Sequence, residues 1–117
     1  MTTAITVRPL SGSTDGRGIK VAATATPGTL IHTAQASVTD MDVVEVAVCN
    51  TSSSDVEVSF ECWGTTSPDD IVKRTIPAGD TVQVPVPPGR NGLALRAFAA
   101  TGNVLSVFGS VKRIAVT

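Results

Sequence analysis

Aromatic side chains are the group that this sequence lacks most. Only 3% of its 117 residues are aromatic, none of them Tyr, and the formal net charge is −1. The Lys and Arg residues are dispersed along the chain. Nucleic-acid-binding proteins need a basic patch and often a platform of aromatic rings, and neither is visible here. We therefore expect no nucleic-acid partner.

The sequence also has few residues that carry catalytic chemistry. His32 is the only histidine, and no nucleophile signature lies near it in the sequence. The acidic pairs are Asp40 with Asp42 and Asp69 with Asp70, and each pair suits a solvated turn better than a calcium loop. The glycines of residues 12–18 do not have the spacing of a phosphate-binding loop. We expect a protein that is not an enzyme and that has no cofactor or metal.

Cysteines and long apolar runs are equally scarce. Cys49 and Cys62 are the only cysteines, and no nearby histidine or cysteine completes a zinc set. No run approaches the 18 apolar residues of a membrane-spanning helix, and the first residues lack the basic and apolar regions of a signal peptide. We expect synthesis and retention in a cytoplasm, with no membrane partner.

Residues that favour β-strands are abundant instead. Val, Ile and Thr make up 39 of the 117 residues, and 10 Gly and 7 Pro divide the chain into short segments. This pattern predicts a single-domain antiparallel β-sandwich, or a jelly-roll-like small barrel, of about eight strands. We expect residues 1–18 to form an N-terminal strand and a flexible arm or loop. Residues 19–117 would then form the single β domain.

Two runs alternate most clearly between apolar and polar residues. They are residues 43–50 and 55–64, and a loop at 51–53 predicts that they pair as a hairpin. In that register Cys49 shares a face with acidic residues, whereas Cys62 lies on the apolar face. Their side chains then point to opposite sides of the sheet, so we expect no disulfide.

A turn is expected between two earlier strands. Residues 19–24 and 29–34 both have β-propensity, and Thr26, Pro27 and Gly28 lie between them. Proline sets φ and glycine supplies a positive φ, which is typical of a type II turn. The sequence therefore predicts a strand, a turn and a second strand over this segment.

Two features near the end of the chain concern strand edges and strand shape. Pro85 lacks a backbone N–H, so residues 82–86 are predicted to lie at a sheet margin. In the last strand, residues 104–116, the apolar positions change from odd to even numbers near Lys112 and Arg113. A bulge or bend at that point would account for the change.

A few residues are candidates for contacts with a partner. Trp63 shares its predicted face with Glu61, and exposed aromatic residues are favoured interface anchors. A tryptophan packed beneath a neighbouring loop is an equally open interpretation. The predicted contact residues are Trp63, Arg17, Pro87 and Arg90.

Five segments resemble a family of small structural proteins of tailed bacteriophages. They are GIKVAAT at 18–24, GTLIHTA at 28–34, WGTTSPDD at 63–70, NGLALRAFA at 91–99 and GSVKRI at 109–114. The similarity covers about residues 8–114. It implies a virion component, and in particular a capsid decoration or cement protein that binds the assembled head and stabilises it.

The resemblance implies partners and a location as well. The partner would be the major capsid protein or another virion protein, and the location the virion, after synthesis in the cytoplasm of a bacterial host. Decoration sites often lie on symmetry axes, which favours a homo-oligomer and in particular a trimer. The alternatives are a tail, baseplate or head-fibre component, or a carbohydrate-binding β-sandwich used in host recognition.

Overall fold

The computed structural model describes residues 3–116, which form nine β-strands and no helix within that range. The strands alternate with turns that are rich in Gly, Pro, Ser and Asp, as their sequences favour. In chain order they are β1 Thr3–Pro9, β2 Ile19–Lys20, β3 Thr29–Thr33, β4 Met41–Asn50, β5 Val56–Cys62, β6 Ile71–Ile76, β7 Thr81–Val84, β8 Ala94–Ala99 and β9 Leu105–Val116.

The strands form two antiparallel sheets that pack face to face. The first sheet has the order β1-β9-β4-β7, with the short β2 also pairing β9, and the second has the order β3-β8-β5-β6. The principal axes of the molecule measure 51 × 28 × 19 Å. The predicted all-β fold is confirmed, and the two packed sheets are those of a small β-sandwich.

The core lies between the sheets and follows the alternation of the sequence. Even positions of β4 and β5 face inward, and Val48, Val58 and Phe60 are each 0% exposed. From β9 the odd positions Leu105 and Val107 face the same core and are also fully buried. Aliphatic side chains supply nearly all of this core, which explains how the fold forms with so few aromatic residues.

The predicted hairpin of residues 43–64 is wrong. β4 pairs β7 and β9 in one sheet, whereas β5 pairs β6 and β8 in the other. The connection at residues 51–55 crosses between the sheets, so the two apolar faces meet across the core rather than side by side. Both cysteines are free, as expected: Cys62 is buried, and Cys49 is half-buried in the other sheet.

The strands predicted within residues 19–34 are present as β2 and β3, but the type II turn predicted between them is wrong. β2 pairs β9 in the first sheet and β3 pairs β8 in the second, so this segment also crosses between sheets. The Thr26–Pro27 peptide bond is cis, and Gly28 does not have a positive φ. Glycine is required at position 28 for space, because a Cβ there would lie 2.5 Å from the backbone of Ala97.

The last strand contains no bulge. β9 keeps one continuous register with β4 from Leu105 to Ile114, so the predicted irregularity near Lys112 and Arg113 is wrong. The apolar pattern changes because the inward position at this end is occupied by Arg113, opposite Asp42. β7 ends at Val84 and pairs only β4, which confirms the predicted sheet margin before Pro85.

Candidate functional site

Three of the four predicted contact residues lie at the end of the sandwich where β4 begins and β7 ends. Trp63 is half-buried, and its Nε1 donates a hydrogen bond of 2.8 Å to the carbonyl oxygen of Pro87. Its ring covers Gly89, where a Cβ would lie within 2.6 Å of the indole. Trp63 has a φ of 67°, which ends the alternation of β5 and turns the side chain towards this loop.

Arg90 belongs to the same end of the molecule and is held in place by a second loop. Its Nη1 donates to the carbonyl oxygen of Val38 at 3.1 Å, and the N–H of Asn91 donates to Ser37 at 3.0 Å. Val38 is 75% exposed and Leu93 is 45% exposed. We call the surface formed by Val38, Trp63, Pro87, Arg90 and Leu93 the end patch.

Arg17 is placed elsewhere. It lies in the loop between β1 and β2, is exposed, and its N–H donates to the carbonyl oxygen of Thr14 at 3.0 Å. The structure thus brings Trp63, Pro87 and Arg90 together and leaves Arg17 in a different loop.

A buried ion cluster lies behind the end patch, and the sequence pattern did not predict it. Asp42 is 0% exposed and faces inward near the start of β4. Nε and Nη2 of Arg113 donate to its two oxygens at 2.9 and 3.0 Å, a bidentate pair. The backbone and side-chain N–H groups of Gln35 add bonds of 3.3 Å. Backbone bonds between Asp42 and Gly89 connect the cluster to the end patch.

His32 completes this cluster. Its Nε2 lies 2.7 Å from Oδ2 of Asp42, and its Nδ1 accepts a hydrogen bond of 3.0 Å from the N–H of Ser11. Because Nδ1 is an acceptor here, the imidazole is neutral and its proton lies on Nε2. Both ring nitrogens are engaged and the side chain is 2% exposed. The arrangement holds β3, β4 and β9 together and leaves no free imidazole nitrogen for proton transfer.

The cluster determines the charge of Asp42. Burial alone would raise the pKa of this carboxyl, but the hydrogen bonds from Arg113 and His32 and the charge of Arg113 outweigh burial and lower the pKa below its usual 3.8. The same hydrogen bond raises the pKa of the Arg113 guanidinium. Asp42 is therefore ionised at neutral pH and acts as a fixed acceptor.

A second buried carboxylate lies on the outer face of the other sheet. Glu61 is 1% exposed; its Oε1 accepts the N–H of Gly28 at 2.6 Å, and its Oε2 accepts the hydroxyl of Thr26. Arg96 donates to the carbonyl oxygen of Gly28 at 3.2 Å. Glu61 thus fastens the segment between β2 and β3 over this face, a role that its place in an alternating strand did not indicate.

Within residues 3–116, no group of three or more His, Cys, Asp or Glu side chains is arranged to hold a metal ion. No helix in the same range is long and apolar enough to cross a membrane. Every buried side-chain nitrogen or oxygen in the described part of the chain has a hydrogen-bond partner.

Comparison with known proteins gives no relative: no family model, no curated protein and no solved structure matches the chain.

Proposed function

We propose that this protein is a non-enzymatic structural component of a tailed-phage virion, and most specifically a capsid decoration protein. It would bind the assembled head through the major capsid protein and stabilise the shell by mass action, because only the assembled lattice offers the complete binding site. The resemblance of five sequence segments to phage structural proteins motivates the proposal.

The observation that carries the proposal is the end patch. Val38 and Leu93 expose aliphatic surface on the two loops around Arg90, and Trp63 packs over the adjacent Gly89. Tryptophan and arginine are among the residue types enriched at binding hot spots. The two loops that present them are tied together by backbone hydrogen bonds between Asn91 and Ser37 and between Gly92 and Gln35. A surface held in this way loses little conformational entropy when it binds.

Co-sedimentation with empty heads of the phage that encodes the chain tests this function. We expect the wild-type protein to pellet with the heads and to saturate at a fixed ratio to the capsid protein. Val38→Asp and Leu93→Asp each place a charge in the end patch, and each should lower the bound fraction at least tenfold. Leu30→Asp, at a position 36% exposed on β3, is the matched control and should bind like the wild type.

Two results would contradict the proposal. Failure of the wild-type protein to pellet with heads, together with binding to purified tails, would assign it to the tail or baseplate. Equal loss of binding in the Leu30→Asp control would show that the end patch is not the contact surface. Circular dichroism of each variant confirms that the fold is retained.

A further inference from the structure

β1 is the most open strand edge of the molecule. It pairs β9 on one side only, and all seven of its residues are exposed. Ile5 and Val7 are 64% and 70% exposed, among the most exposed large apolar side chains in the described chain. A long, flat edge with unpaired backbone groups is a template for strand pairing, and most proteins protect such edges.

The other outer edges of the two sheets are protected in recognised ways. In the first sheet, β2 has only two residues, and β7 has only four and is followed directly by Pro85. β6 carries Lys73 and Arg74 at its centre. β3 has a register shift between Leu30 and His32. The described part of β1 has no such shift, no proline before its last residue and one charge, Arg8.

The hydrogen-bond pattern shows which residues of β1 face the open edge. Asp42 exchanges both backbone bonds with Gly89, at 2.9 and 3.0 Å, and so directs none to its β9 partner Arg113. Arg113 therefore directs its backbone groups to the other side, towards Thr6 of β1. The backbone N–H and C=O groups of successive residues in a strand point to alternate sides. The backbone groups that face the open edge of β1 therefore belong to Thr3, Ile5, Val7 and Pro9.

We propose that β1 pairs antiparallel with β1 of a second copy, with Ile5 at the two-fold axis, so that two sandwiches share one continuous sheet. In this register Ile5 lies opposite Ile5 of the other copy and Thr3 lies opposite Val7. Each of these pairs exchanges two backbone hydrogen bonds. Moving the axis to Thr6 or Val7 would bring Pro9, which has no N–H, opposite Thr3 or Ile5 and leave a carbonyl without a donor.

The side chains on the outer face of β1 and β9 also favour a second copy of the chain as the partner. Ile5 lies next to Ile114 across the strand pair β1 and β9. The two-fold axis would join these pairs from both copies into one apolar stripe, which a single copy leaves open to water. A partner with the same strand is self-complementary in donors and acceptors, as a two-fold contact requires. Arg8 lies beyond the paired segment, so the register sets no like charges opposite each other.

This inference does not depend on the proposed binding to phage heads. It concerns the mass of the protein alone in solution, and the β1 edge shares no residue with the end patch. It also favours a two-fold assembly over the trimer implied by the resemblance, because an antiparallel strand paired with itself closes after two copies.

Sedimentation equilibrium of the full chain tests the proposal. We expect a dimer of twice the 12.0 kDa chain mass. Ile5→Pro removes an N–H that faces the open edge and leaves the bonds to β9 intact, so the variant should stay folded. The dimer would lose one bond from each copy, and its dissociation constant should rise about thirtyfold, equivalent to about 2 kcal/mol. Gln83→Pro removes the corresponding N–H from the edge strand β7 and should leave the dimer unchanged.

Cysteine substitution checks the register independently. Residues opposite each other in a hydrogen-bonded pair have Cα atoms about 5.5 Å apart, within disulfide range. Ile5→Cys should therefore form an intermolecular disulfide on mild oxidation, whereas Thr6→Cys, about 8 Å from its counterpart, should not. A monomer or a trimer in sedimentation, a dimer equally weakened by Gln83→Pro, or cross-linking only through Thr6→Cys would each overturn the proposal.

Discussion

Replacing Asp42 by asparagine tests the buried ion cluster most directly. The wild-type carboxylate is 0% exposed and accepts five hydrogen bonds, two from Arg113, two from Gln35 and one from His32. The asparagine amide has the same shape, but its NH₂ group must face donors. In the less costly orientation it replaces Oδ1 and meets the Nε of Arg113 and the Nε2 of Gln35.

The expected cost follows from these contacts. Removing one partner of a buried ion pair destabilises a protein by about 3–5 kcal/mol, because the other charge is left without compensation. The side chain of Arg113 is 24% exposed and recovers some hydration, so we expect a value near the lower limit, about 3 kcal/mol. Urea unfolding followed by the fluorescence of Trp63, the only tryptophan, measures the change.

The contribution of Asp42 to the free energy of unfolding depends on pH, and the direction of this dependence follows from its pKa. The pKa of Asp42 lies below 3.8 in the folded protein, so the folded state takes up this proton less readily than the unfolded chain. The stability that this carboxylate contributes is present above pH 3.8 and is lost as the pH falls through the folded pKa. Asp42→Asn should lack that component of acid sensitivity.

A matched control separates the cluster from a general effect of lost charge. Asp69→Asn makes the same chemical change at an exposed position and should alter the free energy of unfolding by less than about 0.5 kcal/mol. An Asp42→Asn variant that loses less than about 1 kcal/mol, or that keeps the acid sensitivity of the wild type, would refute the reasoning.

The remaining predictions concern single contacts. Glu61→Ala should lower the free energy of unfolding by about 2 kcal/mol in urea titration, because it leaves the buried N–H of Gly28 without an acceptor. Cys49 should react with a thiol reagent at pH 8 long before Cys62, because burial and then the charge of Asp70 raise the pKa of the Cys62 thiol to about 11; equal rates would contradict this. Gly89→Ala should displace the indole above it and shift the tryptophan emission, since the new Cβ would lie 2.4 Å from the ring.

The sequence predicted the elements of this fold far better than their pairing. The alternation of β4 and β5 correctly placed their even residues in the core, since burial depends on the strand alone. A short polar connection serves equally well as a hairpin turn or as a crossing between two sheets. The register between strands depends on partners distant in the chain, such as β4 with β9, and no local pattern carries that information.

For the predicted contact residues too, the sequence indicated local structure better than spatial arrangement. Proline and glycine at 87–89 indicate a turn for Pro87 and Arg90, whereas Trp63 falls within the predicted strand 55–64. The assembly of these three residues at one end depends on the sheet order. The positive φ of Trp63 turns its ring onto the Pro87–Gly89 segment, and strand alternation alone placed it on the wrong face. The alternative of a tryptophan packed beneath a loop describes its position better than a fully exposed anchor does.

The sequence contains a pattern that indicates the ion cluster, but the predicted turn and bulge misinterpret it. Asp42 continues the even, inward positions of Val44 and Val46, and Arg113 continues the odd, inward positions of Val111. A charged residue in register with a buried apolar set is costly unless a partner of opposite charge meets it. Here two such residues end the inward faces of two long strands, so each is the expected partner of the other. Asp42 and Arg113 share the parity of the buried apolar residues, which indicates burial and not the solvated turn and the bulge predicted for them. This parity favours pairing of β4 with β9 and places the cluster at the end of that pair.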